Sequence, residues 1–304
     1  MKKKVLILAG GFSKEREISL QTGKEVFKSL RTKYNVKILD PLKNSFLNIK
    51  KLKPNVVFNA LHGRFGEDGY IQMILDKEKL NYTHSGVLSS FLAMEKDQSK
   101  KIFRKNRILT PNWLKYNFKE KIDRKFLINI KKKIGFPVVI KPINEGSSVG
   151  VYICDIKNIK KYINKLSEYN EILIEKYIPG REIQAAVMGN KKLGAIELVP
   201  KRKFYDYKAK YTKKAKTKHL MPAPMEKNNY KKVNELALKA HKLLKCNGVS
   251  RSDFRFYKNK FYLLELNTQP GMTRLSLVPE IAKYNNISFF KLLDWIVKDA
   301  SKKK

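Results

Sequence analysis

The chain has 304 residues, 42% of them hydrophobic, which is more than one buried core usually serves, so two or three domains are expected. Its formal net charge of +39 invites a nucleic-acid partner, but only 11 of the 66 basic residues are arginine and the lysines run along the whole chain. That pattern speaks against base readout and for a general lysine bias on solvated faces, so no specific nucleic acid is expected.

Cys154 and Cys246 have no disulfide or zinc spacing and read as buried thiols of a reducing compartment. The start, Met1 to Lys4 followed by Val5–Ala9, is too short an apolar run for a signal peptide. No other run approaches the roughly 18 residues of a membrane span. A cytoplasmic protein without a membrane partner is the expectation.

In chain order, Val5–Ala9 reads as a short buried strand ending at Gly10-Gly11, followed by a helix over 17–30. Strands at 36–39 and 56–59, a helix at 68–77 and a strand at 81–84 follow. Strands alternating with helices predict a parallel sheet covered on both faces, with this unit ending near residue 90. A polar helix over 96–105 comes next, then strands at 138–141, 151–154 and 172–177 with a helix over 156–166. The last part carries strands at 183–188, 193–199, 251–256 and 261–266, an amphipathic helix over 231–245 and a closing helix over 288–297. From Pro200 to Pro224 there is no apolar periodicity, and lysines alternate with Phe204, Tyr205, Tyr207 and Tyr211. A loop of that length is a functional lid or disordered, and its basic–aromatic texture also suits single-stranded nucleic acid.

The strongest chemical signal is Arg251-Ser252-Asp253 with Glu265-Leu266-Asn267, two strand patterns joined by a turn at Lys258-Asn259. Period two puts Arg251 and Asp253 on one strand face and Glu265 and Asn267 on one face of the next, so a hairpin brings all four together. Asp, Glu and Asn are hard oxygen ligands for magnesium, and an arginine beside them can clamp a phosphoryl group. The same spacing also suits a solvated polar face. After this strand, Gly271 permits close backbone approach, and Ser276-Leu277 opens a helix whose N–H groups favour a carboxylate, or simply form an N-cap.

Lys141 closes a strand before Gly146, Ser147, Ser148, Val149 and Gly150, a loop of N–H groups able to cover phosphates or to be an ordinary hairpin loop. It is not the GxxxxGK[ST] loop, because its lysine precedes the glycines. Glu175 to Glu182 holds a Pro-Gly break suited to a hinge. Gly10 to Glu17 and His62 to Gly69 lie at the carboxyl edge of the first sheet, where α/β proteins bind ligands. A lone histidine such as His62 also suits a structural role.

Seven segments, GGFSKEREISLQTG, LHGRFGEDG, KPINEGSSVG, EKYIPGRE, FYDYKAKY, SRSDF and LELNTQPGMTRLSLVP, run in register over nearly the whole chain and together resemble the D-alanine–D-alanine ligases of the ATP-grasp superfamily. The resemblance implies an α/β fold. A Rossmann-like unit (residues 1–90) would precede a two-part ATP-grasp module (91–178 and 179–304). It implies a peptidoglycan-precursor ligase using ATP and two Mg2+ ions, with Mn2+ able to substitute, in a homodimer. Lys96 and Lys141 would hold the phosphates, with Gly146, Ser147, Ser148 and Val149 as their cap. Glu175, Lys176 and Ile178 would hold adenine, and Glu182 the ribose. Asp253, Glu265 and Asn267 would bind metal. Glu15, linked through Ser147 to Tyr211, would hold the first D-alanine, with His62 nearby. Ser276 and Leu277 would take the carboxylate of the second, and Arg251 with the Gly271 N–H would stabilise the tetrahedral intermediate. Lys210 and Tyr211 would lie on a lid.

Two positions depart from the family pattern. Glu95 stands where aspartate is usual, and Lys208 where an acid is common. Tyr211 favours a dipeptide over an ester product. Another carboxylate–amine ligase of the same superfamily, with a different amino or hydroxy acid, is the alternative reading.

Overall fold

The computed structural model describes residues 2–42, 48–146, 149–200 and 217–302. Ser147, Ser148, Lys210 and Tyr211 lie outside the described residues, as does most of the lysine–aromatic segment.

The first sheet is parallel, in the order β2-β1-β3, with β1 at Lys4–Leu8, β2 at Asn35–Leu39 and β3 at Val56–Asn59. Its central strand, KVLIL, is apolar and buried from Val5 to Leu8, as suits a strand covered on both faces. Helix α1 (Arg16–Leu30) crosses β1 at Gly23, where a β-carbon would collide with Ala9. Short α2 (Asn48–Lys51) and α3 (Tyr70–Lys77) follow. The strand expected at 81–84 is not formed. Tyr82 makes one isolated bridge to Val57, and Thr83 instead serves the Asn59 amide through its hydroxyl.

Helices α4 (Val87–Met94) and α5 (Lys96–Lys105) lead to the second sheet, antiparallel in the order β4-β7-β5-β6. Its strands are β4 (Trp113–Asn117), β5 (Val138–Pro142), β6 (Tyr152–Cys154) and β7 (Glu171–Lys176), packed on α6 (Arg124–Lys133) and α7 (Ile159–Asn164) around a core of its own. The third sheet is antiparallel, in the order β10-β9-β8-β11-β12. It comprises β8 (Arg181–Met188), β9 (Lys191–Val199), β10 (Lys218–Leu220), β11 (Val249–Tyr257) and β12 (Lys260–Asn267). Strand β10 lies in the stretch expected to be irregular and pairs with β9, His219 facing Leu198.

Helix α8 (Lys227–Leu243) buries Val233, Ala237 and Ala240 on one face of the third sheet, in a core that also takes Phe103 from α5. The other face joins a core shared with Val5, Ile7 and Phe58 of the first sheet and with α9 (Leu277–Tyr284) and α10 (Phe289–Ala300). Asp294 of α10 accepts from Lys33 and Tyr34, both at 2.7 Å, tying the end of α1 to the C-terminus of the chain. Among the described residues no helix is long and apolar enough to cross a membrane.

Candidate active site

The centre of the site is the hairpin β11–β12. Lys258 and Asn259 both adopt positive φ, at 46° and 58°, the backbone of a two-residue turn whose twist matches that of the strands. That turn sets the register from Tyr257 opposite Lys260 to Phe254 opposite Leu263, and a one-residue bulge at Leu264 then places Asp253 opposite Glu265 and Arg251 opposite Asn267. Pairing is regular on either side of that bulge. Arg251 grips Asp253 with both arms, Nε to Oδ1 at 2.7 Å and Nη2 to Oδ2 at 2.9 Å. Gln184 faces Asp253 from β8; it is buried, and its Oε1 has no hydrogen-bond partner among the described residues. The Asn267 Nδ2 is buried without a partner in the same way.

No three His, Cys, Asp or Glu side chains form a ready cation cage among the described residues. A cation at this hairpin would therefore take two carboxylates and the Asn267 amide oxygen, and complete its shell with ligand oxygens. That is how magnesium is usually held. Two carboxylates and one amide oxygen on adjacent paired strands are the hard oxygen donors that use requires.

Above the hairpin lies a cleft of about 780 Å³ between the second and third sheets. Lys96, Lys141, Glu145, Val149, Glu175, Lys176, Ile178, Glu182, Asp253 and Glu265 all line it. Lys96, buried at the start of α5, donates to the Glu145 carbonyl at 2.6 Å and stands 3.6 Å from Glu265. Burial lowers its pKa, with Glu265 opposing the shift. Lys141 donates to Glu175 Oε1 at 2.7 Å. Arg255 pairs with Glu182 at 3.2 Å near the cleft edge. Gly180 turns the chain between β7 and β8 at φ 112°.

Sequence reasoning missed Lys100. It is fully buried, and its ammonium lies 2.9 Å from Glu175 Oε2, without the alignment of a directed hydrogen bond. Burial pulls Lys100 down to about 8, with Glu175 pulling it back up. Burial alone would favour neutral Glu175, but Lys100 and Lys141 outweigh it and hold the carboxyl below its usual range. The available sequence signal was spacing: Lys96 and Lys100 share one face of α5.

A second cleft, about 1130 Å³, opens on the other side of Glu265, which lines both. Glu15, His62, Gly146, Arg251, Asn267, Gly271, Ser276 and Leu277 line it. The carboxyl edge of the first sheet supplies one wall. There, Ser19 accepts from the Gly10 N–H at 2.8 Å and donates to the Ala60 carbonyl at 2.7 Å, locking two loops together. Ser13 donates to the His62 carbonyl and accepts from the Glu15 N–H. Both His62 nitrogens are engaged, Nδ1 with Glu67 at 2.8 Å and Nε2 with Thr22 at 3.2 Å. Burial opposes charge on His62, but Glu67 outweighs it and raises the pKa. The opposite wall is the Gly271–Leu277 loop. There the Ser276 hydroxyl accepts from the Thr273 N–H at 3.0 Å, leaving it no bond to its own helix. Gln269 donates to the Leu61 carbonyl, joining this loop to the first sheet.

A cleft between two antiparallel sheets, floored by an acidic hairpin and flanked by a parallel-sheet unit, defines a protein of the ATP-grasp class. A family model described as the D-ala D-ala ligase C-terminus matches residues 102–298. The D-alanine–D-alanine ligase of Pelagibacter ubique strain HTCC1062 is 62% identical over 302 residues, covering 99% of both chains. That of Wolbachia pipientis wMel is 45% identical, covering 97% of this chain and 94% of its own. The crystal structure of the Bacillus anthracis D-alanine–D-alanine ligase complexed with ATP superposes with a TM-score of 0.85 at 31% identity, covering 98% and 97%. The chain belongs to the D-alanine–D-alanine ligase family.

Proposed function

We propose that this chain joins two D-alanines to D-alanyl-D-alanine at the expense of ATP, supplying a peptidoglycan precursor in the cytoplasm, and that it works as a homodimer. The reading is carried by one observation: Glu265 stands between two clefts, one lined by Lys96 and Lys141 and the other by Arg251 and Ser276. Phosphoryl transfer and amide formation need such adjoining compartments.

ATP would lie in the first cleft, its phosphates drawing Lys141 from Glu175 and meeting Lys96, under a cap of Gly146, Ser147, Ser148 and Val149. Glu175 and the backbone of Lys176 and Ile178 would take adenine, and Glu182 the ribose. Asp253, Glu265 and Asn267 would hold magnesium or manganese, which when bound neutralises phosphate charge.

The first D-alanine would sit with its ammonium on Glu15, near His62, and with Ser147 and Tyr211 completing the contact. Its carboxylate attacks the terminal phosphorus of ATP, giving an acyl phosphate and ADP. The second D-alanine, its carboxylate on Ser276 and the Leu277 N–H, attacks the acyl carbon with its amine. Arg251 and the Gly271 N–H stabilise the tetrahedral oxyanion, and phosphate leaves. The chain contributes positioning and charge neutralisation. Lys210 and Tyr211, as the family resemblance implies, would help to keep water from the acyl phosphate. Three units, 1–90, 91–178 and 179–304, each holding one sheet, would supply the walls.

The test is product formation from ATP with D-alanine, set beside L-alanine, D-serine and D-lactate. D-alanyl-D-alanine as the main product supports the reading; turnover with another substrate and none with D-alanine refutes it.

A further inference from the structure

Both oxygens of buried Glu175 are held by lysines, but the two lysines are not alike. Lys141 lines the nucleotide cleft and reaches Oε1 at 2.7 Å. Lys100 does not line it and reaches Oε2 at 2.9 Å from behind. Its ammonium lies 5.3 Å from the centre of the Trp113 ring. That ring is pinned by its indole N–H donating to Asp97 at 2.8 Å, and it also carries Arg104 at 4.2 Å. Trp113 stands opposite Glu175 in the β4–β7 pairing, and α5 is anchored by Phe103 in the core. An arriving triphosphate can thus draw Lys141 away, while Lys100 has no path to follow.

We propose that Lys100 is a positioning residue: the permanent counter-ion that keeps Glu175 charged and fixed once Lys141 has moved to the phosphates. In that role it sets the preference for 6-amino over 6-oxo purine nucleotides. The proposal rests on the reading that Glu175 meets adenine. A buried carboxylate that loses every cation pays a desolvation cost it cannot recover. With Lys100 in place, Oε1 is freed as Lys141 departs and Oε2 stays neutralised. Oε1 can then accept from an exocyclic amino group. A 6-oxo purine presents a carbonyl oxygen to the same carboxylate, an acceptor against an acceptor, which is how a polar pocket rejects a close analogue. Without Lys100, Glu175 is left with no cation once Lys141 moves to the phosphates, and its hold on the 6-amino group weakens.

The test is steady-state kinetics of D-alanine-dependent phosphate release with ATP and with inosine triphosphate, for wild type, Lys100→Met, Glu175→Gln and the double variant. Lys100→Met is expected to raise KM for ATP about tenfold with kcat nearly unchanged and to leave KM for inosine triphosphate nearly unchanged, so that the preference collapses. The double variant should be no worse than either single one. If Lys100→Met raises KM for both nucleotides equally, or if the double variant is additive, Lys100 merely packs and the proposal is overturned. If Glu175→Gln lowers the preference and Lys100→Met does not, the proposal alone fails. If Glu175→Gln keeps the preference, the adenine reading fails and takes the proposal with it. Lys100→Gln carries the same comparison should the methionine variant be insoluble.

Discussion

Asp253 and Glu265 face each other directly across the β11–β12 hairpin, and the bulge begins immediately after Asp253. The two carboxylates are therefore fixed by backbone pairing rather than by side-chain reach. Removing divalent cations with a chelator should abolish turnover while leaving the fold intact. Either magnesium or manganese should restore it, since both accept hard oxygen donors. Phosphate release measured before and after chelation checks this, and full activity without divalent cation would exclude the cation role of the hairpin.

Asp294 makes a second prediction, about stability. Burial alone would raise its pKa, but Lys298, Lys33 and Tyr34 outweigh it and hold the carboxyl down at about 2, against an ordinary 3.8. The folded value lies below the unfolded one, so the stabilisation is present above about pH 4 and is lost as pH falls toward 2. Asp294→Asn should cost about 2 kcal/mol at pH 7. Urea unfolding across the pH range should show the gap between wild type and variant closing at the acid end. A gap that does not change with pH would mean the aspartate acts only by packing.

The β11–β12 hairpin was legible from sequence because strand period and turn chemistry are local. Lys258-Asn259 fixes the turn and period two fixes which side chains share a face, but the bulge at Leu264 that brings Glu265 opposite Asp253 has no such local sign. Helix α5 was legible over the same residues, 96–105. Strand β4, WLKYN, and helix α6, RKFLINIKKK, were missed, because lysines interrupt the apolar pattern that would mark them. The bridge at Tyr82 shows the opposite error: the local texture of a strand, with a single parallel bridge in place of a ladder. Lys100 was not legible in its role, because its burial is set by Glu175 on a different sheet. A lysine in a polar helix gives no local sign of such a partner.

The turn at Gly180 gives a third prediction. At φ 112° this residue sits where side chains are strained, and a β-carbon would collide with the Phe256 carbonyl oxygen. Gly180→Ala should destabilise the protein by about 1–3 kcal/mol and raise KM for ATP, since Ile178 and Glu182 flank the turn. Thermal unfolding alongside nucleotide kinetics measures both effects. An alanine variant with unchanged melting would show that the turn relaxes without strain.

The central claim is that Glu265 serves the phosphoryl-transfer step. The direct test is D-alanine-dependent phosphate release by Glu265→Gln, which keeps size and polarity and removes one charge. A loss of at least about 100-fold in kcat with an unchanged melting temperature is the predicted result. Turnover at the wild-type rate would contradict the account.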